Sequence, residues 1–197
     1  MKNLLALCLL IAFSIKAKAQ DSLKAELLKE PSNWTFEKFP LPPQFAPSIR
    51  YKGTEELRFS PGMFKKDSIT YFTYAFAAEF DSTTNINKDG ISNYLSVYFK
   101  GLCSSTAKNR KFEIDTNKIT VAVEKKTGTT ENIYDATLNI FGVFTDAALV
   151  KLNMEIKVMT DFAARKTYLL FIASPLAKTD PIWKELYEIR NKFVMPK

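Results

Sequence analysis

From Leu149 to Thr160 the chain alternates without a break, with Val150, Leu152, Met154, Ile156 and Val158 on one side and Lys151, Asn153, Glu155 and Lys157 on the other. A period of two predicts a strand with one face against a core and the other toward water. Ile119, Val121 and Val123 alternate in the same way with Thr120, Ala122 and Glu124, and Tyr134 to Phe144 predicts a further strand. Two segments differ. Thr167 to Ala173 is apolar on both alternating sets and Ile69 to Phe80 carries aromatics on both, as central strands covered on two faces do. Glu55 to Phe59 reads as a shorter strand. Ser60-Pro61-Gly62-Met63 follows it, with proline and glycine where a type II turn needs a fixed φ and then a positive one.

At Ile91 the period changes. Ile91, Tyr94, Leu95, Tyr98 and Leu102 mark one face of a helix running to about Lys108, with Asp89 as its expected cap. Asp180-Pro181 supplies a cap and a first-turn proline for a second helix to about Val194, with Ile182, Leu186, Ile189 and Phe193 as its apolar stripe and Trp183 at the margin. The order is β-β-α-β-β-β-β-α, which predicts an α+β fold: a mainly antiparallel sheet of about six strands with helices packed on it. Short connections favour a meander.

The N-terminal part reads differently. Residues 20–29 suggest a short amphipathic helix bearing Leu23, Leu27 and Leu28, ended by Pro31. Pro40, Pro42, Pro43 and Pro47, interleaved with Phe39, Leu41 and Phe45, predict an extended polyproline-like segment lying against the domain. Residues 20–53 are therefore expected to form a proline-rich segment packed on a single α+β domain of residues 54–197. Ahead of both, Lys2, the apolar run Leu4 to Phe13 and Ala17-Lys18-Ala19 have the pattern of a signal peptide cleaved after residue 19. The expected location is periplasmic or extracellular. The apolar run is shorter than the roughly 20 residues a membrane-spanning helix needs, so no transmembrane anchor is expected.

Loss of residues 1–19 removes three lysines and no acid, which lowers the net charge from +7 to +4. That is far from the concentrated basic stripe of a nucleic-acid binder. Lys65-Lys66, Lys108-Asn109-Arg110-Lys111 and Lys125-Lys126 read as solvated, turn-adjacent clusters. Only Cys103 remains of two cysteines, so no intramolecular disulfide can form after export. The chain contains no histidine, which excludes Ser-His-Asp and Cys-His nucleophile systems and His-liganded zinc supplied by this chain.

Few motifs carry chemistry. Asn85-Ile86-Asn87-Lys88-Asp89-Gly90 has the alternate oxygens of a calcium loop but has Asn85 at its first position and Ser96 where the bidentate Glu belongs, so it reads as a helix-capping turn. No metal or cofactor is expected. Cys103 falls at the edge of the helix's apolar face, as a packed thiol would. On the first strand the alternation places Glu55 with Leu57 and Phe59, while Glu56 and Arg58 share the other side. A carboxylate on an apolar face must find a partner or stay protonated. Glu55 is therefore the candidate acid or ligand anchor of a pocket, with Arg58, Trp183 or Arg190 near it; a structural ion pair or an edge-strand exit into water is the alternative.

Lys52-Gly53-Thr54-Glu55-Glu56-Leu57-Arg58-Phe59-Ser60-Pro61-Gly62-Met63-Phe64, together with Pro181-Ile182-Trp183, resembles a family of short exported bacterial proteins that is itself uncharacterised. The resemblance covers most of the mature chain and implies a bacterial, exported, single-domain protein. It carries over no activity and no functional residue. With 16 Phe, 8 Tyr and 2 Trp, the chain has aromatics enough for a large core or a binding cleft. The expectation is a non-enzymatic binding or interaction module of the cell envelope, its partner an envelope protein or an apolar small ligand. Two alternatives remain: a carboxylate-based hydrolase of envelope polymers, marked by two facing carboxyls, and an assembly or chaperone-like factor, marked by a bare strand edge.

Overall fold

The computed structural model describes residues 27–196. The expected signal peptide lies outside the described residues, as does most of the expected helix at 20–29, and residues 27–29 are irregular where helix was expected. The elements are β1 (Thr35–Leu41), β2 (Gly53–Phe59), β3 (Tyr74–Phe80), α1 (Lys88–Arg110), β4 (Thr120–Lys125), β5 (Ile133–Phe141), β6 (Leu149–Asp161), β7 (Lys166–Ser174) and α2 (Ile182–Lys192), with one 3-10 turn at Thr116–Lys118. They form one seven-stranded sheet in the order β1-β2-β3-β7-β6-β5-β4, with every neighbouring pair antiparallel. The α+β class and the antiparallel sheet are as the sequence predicts, and both helices pack on the sheet. No described helix is long and apolar enough to cross a membrane.

The seventh strand is β1, of which only Phe39, Pro40 and Leu41 fall in the segment that the proline pattern marks as extended. It pairs with β2 from Thr35↔Phe59 to Leu41↔Gly53. An edge position tolerates Pro40, because the missing N–H would face outward. The two meanders, β1-β2-β3 and β4-β5-β6-β7, join through the β3–β7 pair, and α1 carries the chain from β3 to the far edge.

Four local expectations are corrected. The Ser60–Met63 turn closes with Met63 N–H donating to Ser60 O at 3.0 Å, yet Gly62 is not among the positive-φ residues, so the turn is not type II. Glycine is needed there for space: a Cβ on Gly62 would lie 1.9 Å from Ser68 Oγ. The strand expected from Ile69 begins only at Tyr74, because Ser68, Thr70 and Ser60 tie residues 60–70 into successive turns and Phe72 adopts φ 49°. Asn87, not Asp89, caps α1, its side chain accepting from Gly90 N–H at 2.9 Å. At α2 the cap position is Pro181 and Asp180 contributes only its carbonyl, which accepts from Trp183 N–H.

The sheet is buried on both faces. On β3, Tyr74, Phe76, Ala78 and Phe80 face α1, joining its Ile91, Tyr94, Leu95, Tyr98 and Phe99 in the larger core. Ala75 and Ala77 face the other way, and their small side chains leave room for Trp183, Leu186 and Ile189 of α2 and for Leu27, Leu28 and Trp34.

Candidate functional site

β2 carries two acids in succession, Glu55 and Glu56, and neither exposes any surface. Successive side chains leave a strand on opposite faces, so the two end in different surroundings. Glu55 enters the α1 layer. Tyr98 Oη donates to its Oε1 at 2.7 Å and Tyr94 Oη to its Oε2 at 3.0 Å, the two tyrosines standing one turn apart on α1. No ion pair to Glu55 forms among the described residues. Burial pushes its pKa up from the ordinary 4.5 to about 7, with the two tyrosine hydrogen bonds opposing part of that rise.

Glu56 enters the α2 layer, where its Oε2 accepts from the backbone N–H groups of Leu27 and Leu28, each at 2.9 Å. Lys38 Nζ stands 3.1 Å from its Oε1. Arg58 shares this face and donates to the carbonyls of Leu28 (3.0 Å), Trp34 (3.2 Å) and Lys29 (3.1 Å). Together the acid and the guanidinium satisfy the backbone of an irregular segment that has no ladder of its own, and so hold residues 27–34 against the sheet.

Of the four sequence-predicted site residues, the structure therefore separates Glu55 from the rest. Arg58, Trp183 and Arg190 share the opposite face, each with its own partner. Trp183 Nε1 donates to Leu176 O at 3.0 Å, and Arg190 pairs with the buried Glu155, whose other oxygen meets Lys126 Nζ at 2.8 Å. Nothing in the sequence pattern of β6 singled out Glu155, which occupies the side read as solvent-facing; α2 covers that side. Cys103 is buried, its thiol directed at Phe141 O, and burial pushes its pKa to about 11, which leaves it inert as a nucleophile at neutral pH.

An apolar opening lies between the β1-β2-β3 end of the sheet and α1, beside the tyrosines that hold Glu55. It is a cleft of about 80 Å³. Glu37 and Phe39 of β1, Leu57 and Phe59 of β2 and Tyr74 of β3 form its floor; Tyr98, Phe99 and Leu102 of α1 form one wall. Phe45 from the β1–β2 loop, Met63 and Phe72 from the turns and Phe144 from the β5–β6 loop complete it. The alternation of β1 puts Glu37 and Phe39 on the α1 face, opposite Leu57 and Glu55. Phe45 packs edge-on to Tyr98 with ring centroids 5.0 Å apart, a contact made possible by Gly101, where a Cβ would come within 2.2 Å of Phe45 O. On the other side Phe64 meets Phe59 and Phe144 at 5.7 and 5.5 Å, and Tyr71 Oη lies 3.1 Å from Thr145 Oγ1, linking the two loops of the rim. The cleft escaped sequence reading because its walls come from five separated segments.

A second hollow of about 570 Å³ lies between the start of α1 and the β4–β5 connection. Asn87 caps α1, Lys88 pairs with Glu124, Glu131 with Lys157, and Lys125 lies over the Tyr134 ring, while the buried Asn132 Oδ1, also in the lining, has no hydrogen-bond partner among the described residues. Among the described residues no group of three or more acidic, histidine or cysteine side chains could hold a metal ion. Comparisons with protein-family models, curated proteins and solved structures found no match for this chain.

Proposed function

We propose that this protein is an exported, non-enzymatic binding module of the bacterial cell envelope and that its ligand site is the aromatic cleft between β1, β2 and α1. The observation that carries the reading is the lining itself, apolar and aromatic apart from Glu37 and the hydroxyls of Tyr74 and Tyr98. Such a lining binds by shape and by removal of apolar surface from water, each buried methylene contributing ~0.8 kcal/mol. The volume is about half that of the ~150 Å³ apolar cavity that holds a benzene ring, so a narrow alkyl group fits better than a ring system. Carboxylate-based hydrolysis needs two carboxyls facing a common bond. Glu37 is the one carboxyl that lines the cleft among the described residues, and Glu55 is closed off behind Tyr94 and Tyr98. An assembly role through a strand edge draws no support from β1 or β4, since any open sheet has two such edges. Export rests on the signal-peptide pattern of residues 1–19.

Thermal denaturation with octan-1-ol tests the reading. Occupancy of a native-state site raises the midpoint as the alcohol concentration passes its dissociation constant. Leu102→Trp, which fills the cleft from a half-buried position on α1, should abolish the rise. A midpoint that does not move in the unaltered protein, or that moves as much in Leu102→Trp, refutes the cleft as the site.

A further inference from the structure

We infer that the ligand of this cleft is a hydrocarbon chain carrying a positively charged head, an alkylammonium, with Glu37 as the anchor for that head. The inference rests on the cleft reading and adds the chemistry of the ligand's polar end. Three observations support it. Glu37 lines the cleft on the α1 face of an edge strand and remains exposed to solvent, so it can meet a head group at the mouth while the tail lies inside. Its carboxylate has neither hydrogen bond nor ion pair among the described residues. The adjacent Lys38 does not neutralise it, because alternation sends that side chain to the opposite face, where Nζ lies 3.1 Å from Glu56.

No lysine or arginine lines the cleft among the described residues, so an anionic head would meet one unopposed negative charge and no compensating cation. A cationic head meets that carboxylate in a lining that also contains Phe39 and Phe59, and aromatic rings attract ammonium groups through their π systems. The apolar surroundings push the Glu37 pKa above its ordinary value, yet pairing with a cation favours the ionised form. The molecule's overall positive charge works the other way, favouring anions at long range. Local pairing decides the preference at contact distance, where screening by salt is weakest.

Calorimetric titration at pH 7 with octylammonium, octan-1-ol and octanoate, all of one chain length and below their aggregation concentrations, tests the inference. Octylammonium is expected to bind about 5-fold tighter than octan-1-ol, as one partly exposed ion pair allows, with octanoate weakest. Glu37→Gln should bring octylammonium down to the affinity of octan-1-ol, and Glu37→Lys should reverse the order in favour of octanoate. Equal affinities for the three compounds, octanoate as the tightest, or a full octylammonium preference in Glu37→Gln overturns the head-group inference and leaves the cleft standing. Failure of all three to bind the unaltered protein overturns the cleft reading and this inference with it.

Discussion

Glu55 and Glu56 are neighbours in the chain and equally buried, yet they occupy two different kinds of interior. Glu56 faces the α2 layer, where two backbone N–H groups and Lys38 surround it and Arg58 grips the same N-terminal segment. Glu55 faces the α1 layer, where two neutral tyrosine hydroxyls and aromatic rings surround it. One face spends its buried charges on holding a chain segment in place. The other keeps its surface aromatic, leaves a carboxylate without a cation and opens a cleft beside it. The α2 face anchors a chain segment, and the α1 face carries the cleft for which we propose an apolar ligand.

The largest expected effect lies on the anchored face. Glu56→Ala removes the acceptor of the Leu27 and Leu28 N–H groups and the carboxylate beside Lys38, and loss of one member of a buried charge network costs about 3–5 kcal/mol. Urea denaturation at pH 7 should show it, along with faster proteolysis near residues 27–34. An unchanged denaturation midpoint would mean that the N-terminal segment is not held by this acid.

Glu55 gives the next largest effect, and of a different form. Its folded pKa of about 7 exceeds the unfolded 4.5, so between these values the native state holds more protons than the unfolded chain. Its contribution to stability is full below pH 4.5 and is lost as pH rises to 7, a change of about 3 kcal/mol over the window. Glu55→Gln, which mimics the neutral acid, should remove that slope. Parallel stability curves for the two proteins from pH 4 to 8 would contradict the contrast between the faces.

A third prediction concerns how the cleft is held. Gly101→Ala places a methyl against Phe45 O and should cost about 1–3 kcal/mol through overpacking, while weakening octan-1-ol binding by displacing Phe45 from the cleft wall. The smallest effect is expected at the rim: Lys66→Ala removes an exposed pair with Asp146 and should leave the denaturation midpoint where it was.

Much of this architecture is legible in the chain because periodicity reports burial directly. The unbroken alternation of β6, the two-sided apolar run of β7 and the helical spacing from Ile91 each specify an element within a few residues of its observed bounds. The residues that misled reading did so where tertiary contacts override local preference. Ile69 to Phe72 has strand-forming side chains but is held in turns by Ser60, Ser68 and Thr70, and β1 was obscured by prolines that an edge strand accommodates. At the site level, the position of Glu55 on an apolar face followed from alternation alone. Its tyrosine partners did not, since only the packing of α1 across β2 brings residues 39 and 43 positions away onto one carboxylate. Glu37 carried no sequence signal, because the strand that defines its face was not recognised as one.

The division of labour between the two faces is tested most directly by methyl-resolved NMR during titration with octan-1-ol. The account predicts saturable shifts at Leu57, Met63 and Leu102, which line the cleft, with Leu170, Leu186 and Ile189 of the α2 face unmoved. Shifts centred on the α2 face, or no saturable shift at the three cleft residues, would contradict it.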